Sequence, residues 1–145
     1  MTTFVAIHSF RGGTGKSSIA ASVGALLAGA GARVGIVDTD ISSPGVHVLF
    51  GLGEQHVART LNDYLWERCA IAETAHRVVP GRVAGELFVI PASLKTGDIT
   101  RVLREGYDVT ALVDGFRELA SELDLDHLII DTHPGLNDET LLSIA

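Results

Sequence analysis

Two rhythms of apolar residues alternate along the chain. Residues 3–10 form a short, β-branched and apolar run, the pattern of a strand buried on both faces of a parallel sheet. The run ends in Arg11-Gly12-Gly13-Thr14-Gly15, a stretch that no regular element tolerates. From Lys16 to about Ala30 the rhythm changes, because Ile19, Val23, Leu26 and Leu27 recur at helical spacing among alanines. Glycines at 29 and 31 close that helix. Residues 33–37 predict a second strand that runs into Asp38-Thr39-Asp40, and Ser42-Ser43-Pro44-Gly45 then breaks any regular element.

Further on, residues 60–69 read as a helix capped by Thr60 or Asn62, and residues 86–90 as a third strand closed by Pro91. Residues 73–85 between them carry no clear period. Residues 96–105 and 108–123 both predict helices, the second with Leu112, Phe116, Leu119 and Leu123 on one face. Residues 127–130 predict a fourth strand ending in Asp131. After Pro134-Gly135, Asn137 is placed to cap a last helix.

Strand and helix alternation of this kind implies right-handed crossovers. The expected fold is therefore α/β, a three-layer arrangement of a parallel sheet with helices on both faces. Loops at the carboxyl ends of the strands form the binding crevice of such a sheet, and the glycine loop and both acidic motifs fall there.

The glycine loop is the most specific of these signals. The ordinary phosphate-loop pattern G-x-x-x-x-G-K-[ST] would require glycine at position 10, where the chain has Phe10. What stands there is Arg11-Gly12-Gly13-Thr14-Gly15-Lys16-Ser17-Ser18. Glycines ahead of a helix let backbone N–H groups converge on phosphate oxygens, and the helix dipole favours an anion at that end. A tight connection without any ligand and a dinucleotide fold are the competing readings. The second draws on Gly13-Thr14-Gly15 with Asp38 at the end of the next strand, but Ser18 occupies the third glycine's place and Lys16 has no role in it.

This segment resembles the deviant phosphate loop K-G-G-x-G-K-[ST] of the ParA/MinD family of P-loop ATPases, with Arg11 where the family carries a second lysine. The resemblance implies that Gly12, Gly13, Thr14, Gly15, Lys16, Ser17 and Ser18 cradle ATP. Lys16 then reaches the β/γ-phosphates and the Ser17 hydroxyl ligates Mg2+. Val37-Asp38-Thr39-Asp40 is similar to the family's switch I region, which makes Asp40 the water-positioning residue and Asp38 the metal-side one. Leu128-Ile129-Ile130-Asp131 followed by Thr132-His133-Pro134-Gly135 resembles the Walker B strand and switch II. There Asp131 serves Mg2+ through water and Gly135 lets backbone approach the γ-phosphate. Catalysis is thereby expected from Lys16, Asp40 and Arg11, with the metal served by Ser17, Asp38 and Asp131.

By the same resemblance the chain is the N-terminal portion, residues 1–145, of one ATPase domain that runs further. It implies a cytoplasmic switch, with peripheral placement at a membrane or the nucleoid left open, that hydrolyses ATP slowly, forms a homodimer around bound nucleotide, answers to a protein activator and serves intracellular positioning or partitioning. In the family the first loop lysine crosses to the partner's phosphates, a task that falls to Arg11 here. A non-catalytic regulatory nucleotide-binding module acting through a partner protein is the alternative. A reductase resembling the nitrogenase iron protein is a third reading, weakened by the single Cys69.

Composition narrows the remaining choices. The net charge of −7 argues against a surface that grips DNA by phosphate neutralisation, and no apolar stretch reaches the roughly 20 residues a membrane span needs. Cys69, the only cysteine, excludes an internal disulfide and reads as a small apolar helix residue. The six histidines have no ligand-like spacing and are expected mostly on surface or loops. Trp66 is expected to pack rather than stack on a nucleotide.

Overall fold

The computed structural model of the chain describes residues 1–8, 15–41, 44–78 and 84–132. Five strands of these residues form one sheet: β1 (Thr3–Ile7), β2 (Arg33–Asp38), β3 (His76–Val78), β4 (Glu86–Ile90) and β5 (His127–Asp131). Their order across the sheet is β1-β5-β2-β4-β3. The first four in that order are parallel, as the alternating pattern predicts, while β3 runs antiparallel to β4. The all-parallel expectation is thus corrected at one edge. The antiparallel strand β3 falls within the stretch that had no clear period.

Among the described residues five α-helices accompany the strands: α1 (Lys16–Gly29), α2 (Val46–Leu49), α3 (Leu61–Leu65), α4 (Thr96–Glu105) and α5 (Val109–Glu122). Two of them carry N-cap side chains that fix their starts. Thr60 and Asp63 make a reciprocal capping box at α3, and the Asp108 carboxylate accepts from Thr110 and Ala111 N–H at 2.8 and 3.2 Å at α5. The start of α1 has no side-chain cap at all. Gly15 precedes it at φ 79°, the left-handed region, and a side chain there would be strained.

Two elements differ from the sequence expectation, one in length and one in kind. The helix expected over 60–69 ends at Leu65, and Glu67 takes a positive φ of 57°. Cys69 consequently lies in a turn beyond α3 rather than on a helix. The short helix α2 was not expected, because Pro44-Gly45 reads as a breaker.

Strand alternation sorts the core into two clusters, one on each face of the sheet. Val34, Ile36, Leu87, Val89 and Ile129 pack with Ala20 and Ala28 of α1 and Val46 of α2. Val37, Ile90, Leu128 and Ile130 pack with Leu61 of α3 and Leu112, Phe116 and Leu119 of α5. Helices therefore cover both faces. At the edge of the sheet, β1 is only partly covered, whereas β2 and β5 are almost wholly buried. No helix among the described residues is long and apolar enough to cross a membrane.

Candidate functional site

The register of the parallel strands builds the site. Asp38 and Asp131 are Cα partners at the carboxyl ends of β2 and β5, and Ile7 of β1 pairs with the other side of Asp131. The period of two then sends both carboxylates to the face that also presents Ile36 and Ile129, the face covered by α1. Two apolar strands thus deliver two charges to the end of one helix.

From α1 the first two residues meet Asp131. Lys16 Nζ forms an ion pair with Asp131 Oδ1, with the lysine side chain 11% and the aspartate 0% exposed. Ser17 Oγ donates to Asp131 Oδ2 at 2.6 Å. Both carboxylate oxygens of the buried Asp131 are therefore engaged by consecutive residues of the first helical turn.

Asp38 is engaged differently. Its Oδ1 accepts from the Asp40 N–H at 3.1 Å, and its Oδ2 accepts from the Gly45 and Val46 N–H groups at 2.9 and 3.2 Å. One carboxylate thus closes the 39–45 loop and secures the start of α2, which explains a helix directly after Pro44-Gly45. Burial pushes the Asp38 carboxyl up to about 7, with the nearby Asp131 charge adding to the rise against the pull of the three backbone donors. Asp40 is half-exposed in the same loop, beside Asp38.

Two threonines, neither of them charged nor assigned a role in a recognised motif, lock the strand ends together. Thr39 donates from its N–H and its hydroxyl to the Asp131 carbonyl, at 3.0 and 2.7 Å. Thr132 does the same toward the Ile7 carbonyl, at 3.1 and 2.8 Å. The readable signal is the Asp-Thr pair that ends both β2 and β5.

Among the expected site residues, the structure brings Gly15, Lys16, Ser17, Asp38 and Asp131 to one end of the sheet. Ser18 follows within the first turn of α1. Arg11, Gly12, Gly13, Thr14 and Gly135 lie outside the described residues, as do His133 and the helix expected after Asn137. Of the histidines, His47 departs from expectation, since it is buried at 1% exposure. Trp66 lies under Arg68 and Arg101, whose guanidinium carbons stand 5.0 and 4.3 Å from its ring centre.

The arrangement has a specific chemical capacity. An uncapped 14-residue helix offers its first N–H groups and a lysine to an anion, and a hydroxyl beside a carboxylate offers two hard oxygen ligands to a divalent cation. The donor set fits a Mg2+-bound phosphate.

Comparison with known proteins agrees with this geometry. The chain is 34% identical over 134 residues to an iron-sulfur cluster carrier protein of Pseudomonas fragi, covering 92% of this chain and 42% of that protein. It is 32% identical over 138 residues to the cytosolic Fe-S cluster assembly factor CFD1 of Chaetomium globosum, covering 93% and 43%. The chain thus spans less than half the length of these relatives. Among solved structures, the septum site-determining protein MinD of Pyrococcus horikoshii, complexed with Mg-ADP, shares the fold at a TM-score of 0.77 and 22% identity, over 99% of this chain and 54% of that one. Cobyrinic acid a,c-diamide synthase of Mycobacterium smegmatis, with bound ATP analogue and magnesium, does so at 0.75 and 24%, over 99% and 55%. The ParA family model described as NUBPL iron-transfer P-loop NTPase matches residues 1–145, and the chain belongs to that family of deviant P-loop NTPases.

Proposed function

We propose that this chain is the phosphate-binding part of a longer Mg2+-ATP-dependent switch ATPase that hydrolyses ATP slowly, pairs with a second copy when ATP is bound, and acts in the handling of iron–sulfur clusters. The observation that carries the reading is the convergence of Lys16 and Ser17 on Asp131 at the uncapped start of α1.

Each residue has a task that follows from its place. Lys16 exchanges its pairing with Asp131 for the β/γ-phosphates, keeping a buried charge compensated before and after the nucleotide arrives. Ser17 and Asp131 hold Mg2+, with Asp38 beside them. The metal neutralises charge that develops on the phosphate oxygens. Asp40 orients the attacking water, and Arg11 reaches the second copy's phosphates. Phosphoryl transfer asks for little more than such positioning and charge stabilisation.

The cellular role rests on the names of the relatives, which speak of cluster carriage and assembly. It replaces the positioning or partitioning role implied by the sequence resemblance, because the MinD-type structures are 22% identical and bear on the fold alone. Cluster ligation is not assigned to these residues. Cys69 is the single cysteine, and burial first, with Asp63 and Glu73 adding to it, holds its thiol above the usual range. No three His, Cys, Asp or Glu among the described residues are grouped to hold a metal.

Isothermal titration with Mg2+-ATP tests the reading. Wild type is expected to bind one equivalent, Lys16→Ala to lose binding, and Asp40→Ala to bind while hydrolysing more slowly. A Lys16→Ala variant that binds as wild type overturns it. ATP-dependent dimerisation that survives in Arg11→Ala removes the role given to Arg11.

A further inference from the structure

Beyond α2, away from the phosphate end of α1, polar groups are left without the partners that burial demands. His47 is 1% exposed, and neither ring nitrogen has a hydrogen-bond partner among the described residues. Burial also pushes its pKa down, so the ring is neutral and offers one donor and one acceptor. Asn62 of α3 is fully buried, and its Oδ1 accepts from the Ser93 N–H at 2.8 Å while its Nδ2 has no partner. Buried polar atoms are normally paired, and each exception calls for a cause.

His47 and Ser93 line the same cleft. It has about 60 Å³ of interior space and opens between α2, the start of α3 and the loop after β4, with Glu54, Asp63, Asp98 and Lys95 also lining it. Three carboxylates therefore meet one ammonium. Asp63 is held by the Thr60 N–H at 2.9 Å and approached by Arg68 at 3.5 Å, which leaves Glu54 and Asp98 opposite Lys95 alone. Asp98 also accepts from the Ser93 hydroxyl at 2.6 Å, which fixes its carboxylate at the wall. The balance is one negative charge in excess, and it meets no metal-binding group of three ligands. Val57, Ala92 and Leu94 supply an apolar side.

We infer that this cleft is a second binding site, for an organic monocation with an aliphatic stem and an adjacent amide, the chemistry of a lysine or arginine residue. The cation lies between Glu54 and Asp98, the stem lies along Val57, Ala92 and Leu94, and the amide pairs with one ring nitrogen of His47. The site is separate from the phosphate end, since none of Lys16, Ser17, Asp38 or Asp131 lines it.

Titration of the whole chain with N-acetyl-arginine methylamide, n-butylguanidine and a capped tripeptide with central arginine tests the assignment, read by calorimetry and by the His47 ring resonances. The methylamide is expected to saturate one site and shift those resonances, with saturating Mg2+-ATP making no difference. Butylguanidine, a monocation with the stem but no amide, binds more weakly. Glu54→Gln/Asp98→Asn weakens every probe by about tenfold or more, as expected for lost charge-assisted hydrogen bonds. His47→Leu removes only the advantage of the methylamide over butylguanidine. A tripeptide tighter than the methylamide identifies a peptide as the source, and equal affinity identifies a free small molecule. Absence of saturable binding, displacement by Mg2+-ATP, or binding indifferent to the double variant overturns the site.

Discussion

The phosphate end of the sheet and the cleft beyond α2 are both polar and both lie near the carboxyl ends of strands, yet they are finished to different degrees. At the first, Asp131 is paired on both oxygens by Lys16 and Ser17, and Asp38 accepts from three backbone N–H groups. At the second, His47 and Asn62 leave polar atoms unpaired in the interior. A closed network holds a geometry ready and gives up bonds only when a ligand replaces them. An open one raises the free energy of the empty state and is relieved by an occupant. Polar substitutions should therefore act with opposite signs in the two regions.

The largest expected effect is at the closed network. Lys16→Ala leaves Asp131 buried without its cation and should cost about 3–5 kcal/mol of folding stability. Urea unfolding measures it, and the double variant Lys16→Ala/Asp131→Ala should recover part of the loss. A single variant as stable as wild type would break the contrast between the regions.

Asp38 gives the next effect, through pH. Its carboxyl titrates near 7 in the folded chain against an ordinary value of 3.8, so the folded state holds the proton more tightly than the unfolded one. The stability this contributes is fully present below about 4 and is lost as pH rises toward 7. Relative to Asp38→Asn, wild type should lose stability across that window and hold level above it. Unfolding curves at intervals from pH 4 to pH 8 check the slope, and a flat difference contradicts the assigned burial.

Smaller changes sharpen the comparison. Thr39→Val removes the hydroxyl that donates to the Asp131 carbonyl at 2.7 Å and should destabilise by about 1 kcal/mol. His47→Leu should do the reverse and stabilise by about 1 kcal/mol, because it replaces an unpaired buried ring with an apolar side chain of similar size. Thermal unfolding of the two variants side by side reads both signs, and a destabilised His47→Leu would show that the ring is already satisfied.

Much of this was legible from residues alone. The bounds of β4 and α4 and the existence of α5 follow from apolar spacing, and Thr60 announces the start of α3. The grouping of Lys16, Ser17, Asp38 and Asp131 follows from motif order together with the rule that crevices form at the carboxyl ends of strands. Strand β3 was not legible, since His76–Val78 is three residues long and mostly polar, and only its pairing with β4 defines it. Nor was α2, because the groups that hold its start are backbone N–H of Gly45 and Val46 bonded to a carboxylate seven and eight residues earlier. That same contact decides where His47 points. Periodicity reports which face of an element is apolar, and says nothing about a helix that exists because a distant side chain captures its first donors.

The central claim is that the first turn of α1 receives the phosphates of ATP. An amide NMR titration with Mg2+-ATP tests it on the folded chain without any substitution. Saturable shifts are predicted at Gly15, Lys16, Ser17 and Ser18 and at Asp131, as Lys16 moves from carboxylate to phosphate, with the amides of α4 and α5 unmoved. Unchanged resonances at residues 15–18 under saturating nucleotide would contradict it.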